Sequence, residues 1–344
     1  DEYDEFIANP HDCVVEKVLP RLYPALQTDP VKRALLFAKA MLANMDYQNR
    51  FKAITDELVK KYGYFSPPPG SLGGVTAPFD YLADFLRSFT GISKDVRRCP
   101  EKVAAACEAL LPYQVKKGLP PNPHRHGYTF VALHMATYLR TSDFEKLFWP
   151  SFLKMVRALA EKGQYCYLFC EHDWMRYLDH LSELPENTRL YFEYGDPKTI
   201  KEKLGKKLIL GGMYPITYLR TATRQQCIDK AKELLDIMAP GGNYIFNFDK
   251  SSLSPGDINL DNYIAVLEYV RDHTRYDNAG ERVRNVELPG KLVEPEIPPF
   301  RSRYYETWED YRASRRTDPQ LERVIEPIIM GYEDQLLALL SRLC

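Results

Sequence analysis

Apolar and polar positions alternate between two periods along this chain, and the change of period marks the elements. "VKRALLFAKAMLANM" and "FKAITDELVKKYG" carry apolar residues at helical spacing, behind an Asp29-Pro30 stop and ahead of a Gly cap. "CPEKVAAACEALLPYQVKKG" reads as a helix with Pro100 near its start. Between these lies "FSPPPGSLGGVTAPFDYLADFLRSFTG", where breakers mix with aromatics and Pro67 to Gly74 cannot be regular helix.

The pattern then becomes repetitive. "YTFVALH", "QYCYLFCEHD", "TRLYFEYGD", "KKLILGGMYP" and "NYIFNFD" read as short strands. Each is followed by a helical stretch. In "TSDFEKLFWPSFLKMVRALAEKG", Thr141 or Ser142 is expected to cap. "TRQQCIDKAKELLDIMAPGG" places Cys227, Ala231, Leu234, Leu235 and Met238 on one side. The strands do not alternate cleanly, as expected when both faces are covered.

Five such units within about 145 residues predict α/β architecture with a parallel sheet. A doubly wound sheet and a (β/α)8 barrel both answer to that pattern. "GDPKTI", "GGMYPI" and "PGGNYI" do not form the Gly-rich turn of a dinucleotide fold. Polar strand ends fit a barrel better, because its βα loops build the working face. The fold expected is a distorted (β/α)8 TIM barrel with additional N-terminal helices, spanning residues 1–280. A Pro-rich extended arm and a terminal helix, "QLERVIEPIIMGYEDQLLALLSRL", take up 281–344. Packing of that tail on a second subunit or on its own domain are equal expectations.

Composition narrows the function classes. The 344 residues carry 46 Lys and Arg against 47 Asp and Glu, so neither a nucleic-acid surface nor a basic membrane-binding face is expected. There is no apolar run of membrane-spanning length. Seven cysteines without a dense framework predict a reduced, cytoplasmic protein. The 24 Tyr and 16 Phe suit a large core first, and secondarily a pocket for a flat organic ligand.

The candidate chemistry sits at strand exits. Glu171, His172 and Asp173 are consecutive there, with His172 as general acid or base and a carboxylate to orient it. Asp173 capping the next helix is the simpler alternative. His134 closes the first strand. Glu193 ends a later one, where Asp196 caps a helix. Gly212 and its neighbour Gly211 allow close backbone approach, with Met213 beside them. Asn247 and Asp249 lie in "NFDKSS", with Lys250 ready to meet an anionic group. His134, Glu171 and Glu193 could hold a metal if they converge.

Four passages resemble the uroporphyrinogen decarboxylase superfamily: "APFDYLADFLRSFTGISKDVRRCPEKVAAACEAL", "TSDFEKLFWPSFLKMVRALAEKG", "GKKLILGGMYPITYLRTATRQQC" and "APGGNYIFNFDKSSLSPGDINLDNYIAVLEYVRD". That superfamily holds haem-pathway decarboxylases and methyltransferases that work with corrinoids. The resemblance implies a distorted (β/α)8 barrel and places Asp80, in "PFDYL", close to the substrate face. It also implies an earlier N-terminal segment that this sequence lacks.

The decarboxylases' Arg-rich N-terminal motif has no counterpart here, and "FNFDKSS" holds no histidine. The zinc triad of the thiol-methylating branch is not matched: Phe169 and Glu171 stand where His and Cys would be. The resemblance therefore points to methyl transfer between a small or aromatic organic substrate and a corrinoid (cobalamin) or a separate corrinoid protein, in a homo- or hetero-oligomer. A cofactor-independent decarboxylase and a non-catalytic accessory subunit are the alternatives.

Overall fold

In a computed structural model the described residues are 2–274, 295–316 and 318–341. The expected boundary at 280 and the arm over 281–294 lie outside them. Six strands form one parallel sheet: β1 (Leu72–Gly74), β2 (Tyr128–Leu133), β3 (Cys166–Asp173), β4 (Arg189–Tyr194), β5 (Ile209–Tyr214) and β6 (Tyr244–Phe248). Their order in the sheet is their order in the chain. Each new strand is laid beside the last without reversal, so there is no switch point of the doubly wound kind. Among the described residues the sheet ends at β1 and β6 as edges, and an eight-stranded closure is not present.

The helices include α1 (Glu2–Ala8), α2 (Pro30–Tyr62), which does not pack on the sheet, α3 (Ser88–Arg98), α4 (Pro100–Gly118), α5 (Trp149–Glu161), α6 (Pro197–Leu204), α7 (Arg224–Met238) and α8 (Leu260–His273). A ninth, α9 (Pro319–Ser341), ends the described chain. Local chemistry sets their ends. Asp196 accepts the Thr199 N–H at 2.8 Å to start α6, and Asn259 accepts from Asp261 and Asn262 to start α8. Thr223 and Gln226 form a reciprocal capping box at α7, whose buried residues are the five expected. Neither Thr141 nor Ser142 caps its helix: the N-cap is Arg140, with no side-chain bond. The stretch over 30–62, read in two pieces, is one helix of 33 residues, because no Gly or Pro interrupts it.

Strand alternation gives the sheet two different faces. Val131, Leu133, Leu168, Cys170, Leu190, Phe192, Leu210 and Tyr214 are all fully buried towards the helices. The other face carries Tyr128 and Phe130, Tyr167 and Phe169, Tyr191, and Asn247. It is not fully covered, contrary to the expectation of two buried faces: Phe130 is 39% exposed and Ile245 51%.

The tail packs on its own domain. Asp12, buried near the N-terminus, accepts the Ser302 hydroxyl at 2.6 Å and the Arg303 N–H at 3.2 Å, with the Arg303 guanidinium also at 3.2 Å. Replacing Asp12 with Ala removes the acceptor of the Arg303 N–H, while Ser302 keeps His11 at 2.7 Å and the Arg303 guanidinium keeps Glu16 at 2.9 Å. The expected cost is about 1 kcal/mol, because Arg303 keeps access to water. Urea unfolding measures it, and trypsin cleavage at Arg301 and Arg303 should accelerate; unchanged cleavage would show that the clasp does not hold the arm.

Candidate functional site

The open sheet face floors a cavity of about 900 Å³ that runs along the strands to their C-terminal ends. Tyr128, Phe130, Tyr167, Phe169 and Tyr191 make an aromatic floor, and Glu171, His172, Glu193, Asn247 and Lys250 supply polar groups around it. Phe169 stacks on Tyr191 with centroids 4.8 Å apart, continuing the aromatic surface across β3 and β4. Burial raises the Tyr167 pKa, against the neighbouring Asn247 side chain, which lowers it.

The β3 exit is irregular. Its register with β4 shifts between Cys170 and Asp173, and His172 takes a φ of 60°. This bulge keeps Glu171 on the cavity side while redirecting the next two residues. The His172 N–H donates to Glu193 at 2.8 Å, and its ring nitrogen lies 2.9 Å from the Tyr138 hydroxyl. Asp173 accepts the Met175 N–H at 2.8 Å and so serves the turn that follows, but the N-cap of the next helix is Trp174.

His134 lies between two carboxylates. Its Nδ1 is 2.7 Å from Asp84 and its Nε2 is 3.3 Å from Glu171. The Asp84 bond raises its pKa to about 9, against partial burial, with Glu171 and Asp80 adding to the rise. Asp80 is fully buried in the short helix Pro78–Tyr81 and is not part of the cavity wall. It accepts the backbone N–H groups of His134 and Met135, each at 3.0 Å, and so fixes the β2 exit. Burial pushes its pKa up to about 7, against those two donors.

Glu193 turns the other way. Burial opposes its ionisation, but the His172 N–H and Lys250 outweigh that and hold its carboxyl below the usual range. Lys250 pairs with it directly. His134 and Glu171 therefore meet, while Glu193 is engaged with His172 and Lys250. Among the described residues no three His, Cys, Asp or Glu side chains are grouped to hold a metal.

Two further expected residues work behind the cavity. Asp249 is buried, accepts the Ile216 N–H at 2.9 Å and is raised in pKa by that burial. Gly212, at φ 85°, has no room for a side chain: a Cβ there would lie 2.2 Å from the Phe192 carbonyl. Its close approach is to β4, not to a ligand. Met213 follows it at φ 67° and is buried. The aromatic floor, Asp84 and Tyr138 were not singled out from the sequence.

The raised His134 pKa has a consequence for stability. A histidine whose pKa is higher folded than unfolded stabilises fully below its unfolded pKa of about 6.5 and loses that contribution as pH rises through about 9. Urea midpoints are expected to fall across that window, and Asp84→Asn should flatten the fall. An equal slope in the variant would remove Asp84 as the cause.

No known family model and no curated protein sequence matches this chain. Among the described residues no helix is long and apolar enough to cross a membrane.

Proposed function

We propose that the protein is an enzyme that lays a flat organic molecule on the aromatic sheet face and protonates its leaving atom from the Glu171–His134–Asp84 array. The observation that carries this reading is the array itself, a histidine set between two carboxylates, one of which opens on the cavity. We read the six in-order strands as part of the wall of a (β/α)8 barrel, whose chemistry gathers at strand C-termini.

The reaction we favour is methyl transfer from a substrate ether oxygen, with a corrinoid as acceptor. The open rim would admit such a group carried by a partner protein, facing the substrate that lies on Phe130, Phe169 and Tyr191. When bound, it would accept the methyl group. The proton held on His134 passes through Glu171 to the departing oxygen across their 3.3 Å contact, leaving His134 neutral. Asp84 keeps the imidazole oriented and charged. Lys250 and Glu193 offer a paired charge for a polar substituent of the substrate. A zinc-bound thiolate does not fit this site: Phe169 is an aromatic floor residue and offers no ligand.

Decarboxylation is the second reading, favoured by Lys250 at the rim, which can receive a substrate carboxylate. The same array would then protonate the carbanion left behind. Incubation with methyl donors and reduced cob(I)alamin, followed by visible spectroscopy, separates the two. Methylcobalamin formation that depends on Glu171 supports methyl transfer. Carbon dioxide release from a carboxylated aromatic, without spectral change, selects decarboxylation. Neither activity would leave an accessory role for the fold.

A further inference from the structure

Helix α2 is 33 residues long and has no buried residue. Its only substantial packing is against the turn Pro24–Leu26 just before it. At 1.5 Å per residue it extends about 50 Å. Yet Val31 is 71% exposed, Leu42 62%, Phe51 61% and Ile54 61%. A lone helix with that much apolar surface is not stable in water by itself, and a patch of that size marks an interaction surface.

Most of the exposed apolar residues fall on two opposite sides, with Met41 between them. In the N-terminal half Val31, Leu35, Leu42 and Met45 share one face at helical spacing. In the C-terminal half Tyr47, Phe51, Ile54, Leu58 and Tyr62 share the other. The first stripe is flanked on one side by Lys32 and Lys39, and no acid occurs between Pro30 and Met45.

Helix α9 carries a matching surface. Its inner side packs against α4, with Leu337 and Ser341 buried. Its outer side exposes Leu321, Val324, Ile328, Tyr332 and Leu336. That stripe is about 22 Å long, against about 21 Å for the Val31–Met45 stripe. Glu322, Glu326 and Glu333 flank it on one side. Glu322 already pairs with Arg312 at 3.2 Å.

We propose that the N-terminal half of α2 docks antiparallel on α9 of a second copy of this chain, so that two copies exchange arms. The two stripes are equal in length and do not meet within one chain. Antiparallel packing brings the basic flank of one onto the acidic flank of the other. With Val31 beside Leu336 and Met45 beside Leu321, Lys32 falls opposite Glu333 and Lys39 opposite Glu326. Two-fold symmetry makes the contact twice, which is how an isologous dimer accumulates area.

Sedimentation equilibrium on the full chain tests this. The wild type should run at twice 39.9 kDa. Leu42→Asp should give the monomer, and Lys39→Glu should weaken association about tenfold or more. Lys39→Glu combined with Glu326→Lys should restore it to near the wild-type constant. All three positions are exposed on helices, so the core should keep its melting temperature, while the helical circular dichroism should fall with dissociation, as α2 loses its partner, and return in the double variant. A wild type that stays monomeric up to its solubility limit overturns the proposal. So does a dimer indifferent to Leu42→Asp, or one that the Glu326→Lys exchange fails to rescue. Dissociation by Ile54→Asp alone, with Leu42→Asp silent, would assign the interface to the opposite stripe instead.

Discussion

Glu171→Gln is expected to lower kcat by about 10²- to 10⁴-fold, the usual worth of a positioned acid or base, while KM moves only a few-fold. The amide preserves size and the hydrogen bond that Glu171 can make to His134, but it cannot carry a proton. The substituted side chain is partly exposed, and the Trp174 indole donates to the Glu171 backbone carbonyl at 2.9 Å rather than to its side chain. The β3 exit should therefore keep its course, and circular dichroism should match the wild type. His134→Gln should act in the same direction, because it removes the group whose proton passes through Glu171. If the double variant falls no further than Glu171→Gln alone, the two act as one unit. A Glu171→Gln protein with full turnover would remove the array from the chemistry and leave the cavity as a binding site only.

The five strands of the repeat were legible because each is a short apolar run closed by charge or a turn. The buried face of α7 was legible because five apolar residues recur at 3.6-residue spacing. The strand β1 was not, since "LGG" is three residues long and lies in a Pro- and Gly-rich stretch. The continuity of α2 was hidden around Asp46, Gln48, Asn49 and Arg50, where its apolar stripe changes sides without any backbone break. At the site, charged strand ends drew attention to Glu171, His172 and Glu193, and the cavity does gather them. The floor escaped because apolar residues occupy both faces of β3, so alternation alone does not say which face looks inward. Tyr167 and Phe169 became floor only once Cys166, Leu168 and Cys170 were seen buried against helices. Asp84 carried no signal at all: its contact with His134 spans 50 residues of sequence. Asp80 and Gly212 show the converse. They stand near the site in the chain, yet they serve the backbone of neighbouring strands.

Phe144→Ala should produce the largest loss of stability, about 3–5 kcal/mol, by the removal of a fully buried ring. Phe144 stacks on Tyr177 with centroids 3.8 Å apart and lies 5.4 Å from Phe148, 5.6 Å from Trp149 and 5.1 Å from His180. Trp174 meets its edge at 6.3 Å. Phe144, Tyr177 and Trp174 are all 0% exposed, so the space left by an alanine could be refilled only by moving other large rings. Against a typical stability of 5–15 kcal/mol, that is a substantial share. The damage should also reach the site. Trp174 follows the β3 exit and holds the Glu171 carbonyl at 2.9 Å, so a cluster that loosens behind it releases the strand end that presents Glu171. Turnover measured well below the melting temperature should therefore fall along with the urea midpoint. Phe144→Leu keeps most of the volume and should cost about half as much, with turnover nearly intact. A Phe144→Ala midpoint shift worth less than about 1 kcal/mol would mean that the cluster collapses around the missing ring, and that the β3 exit is held by its hydrogen bonds alone.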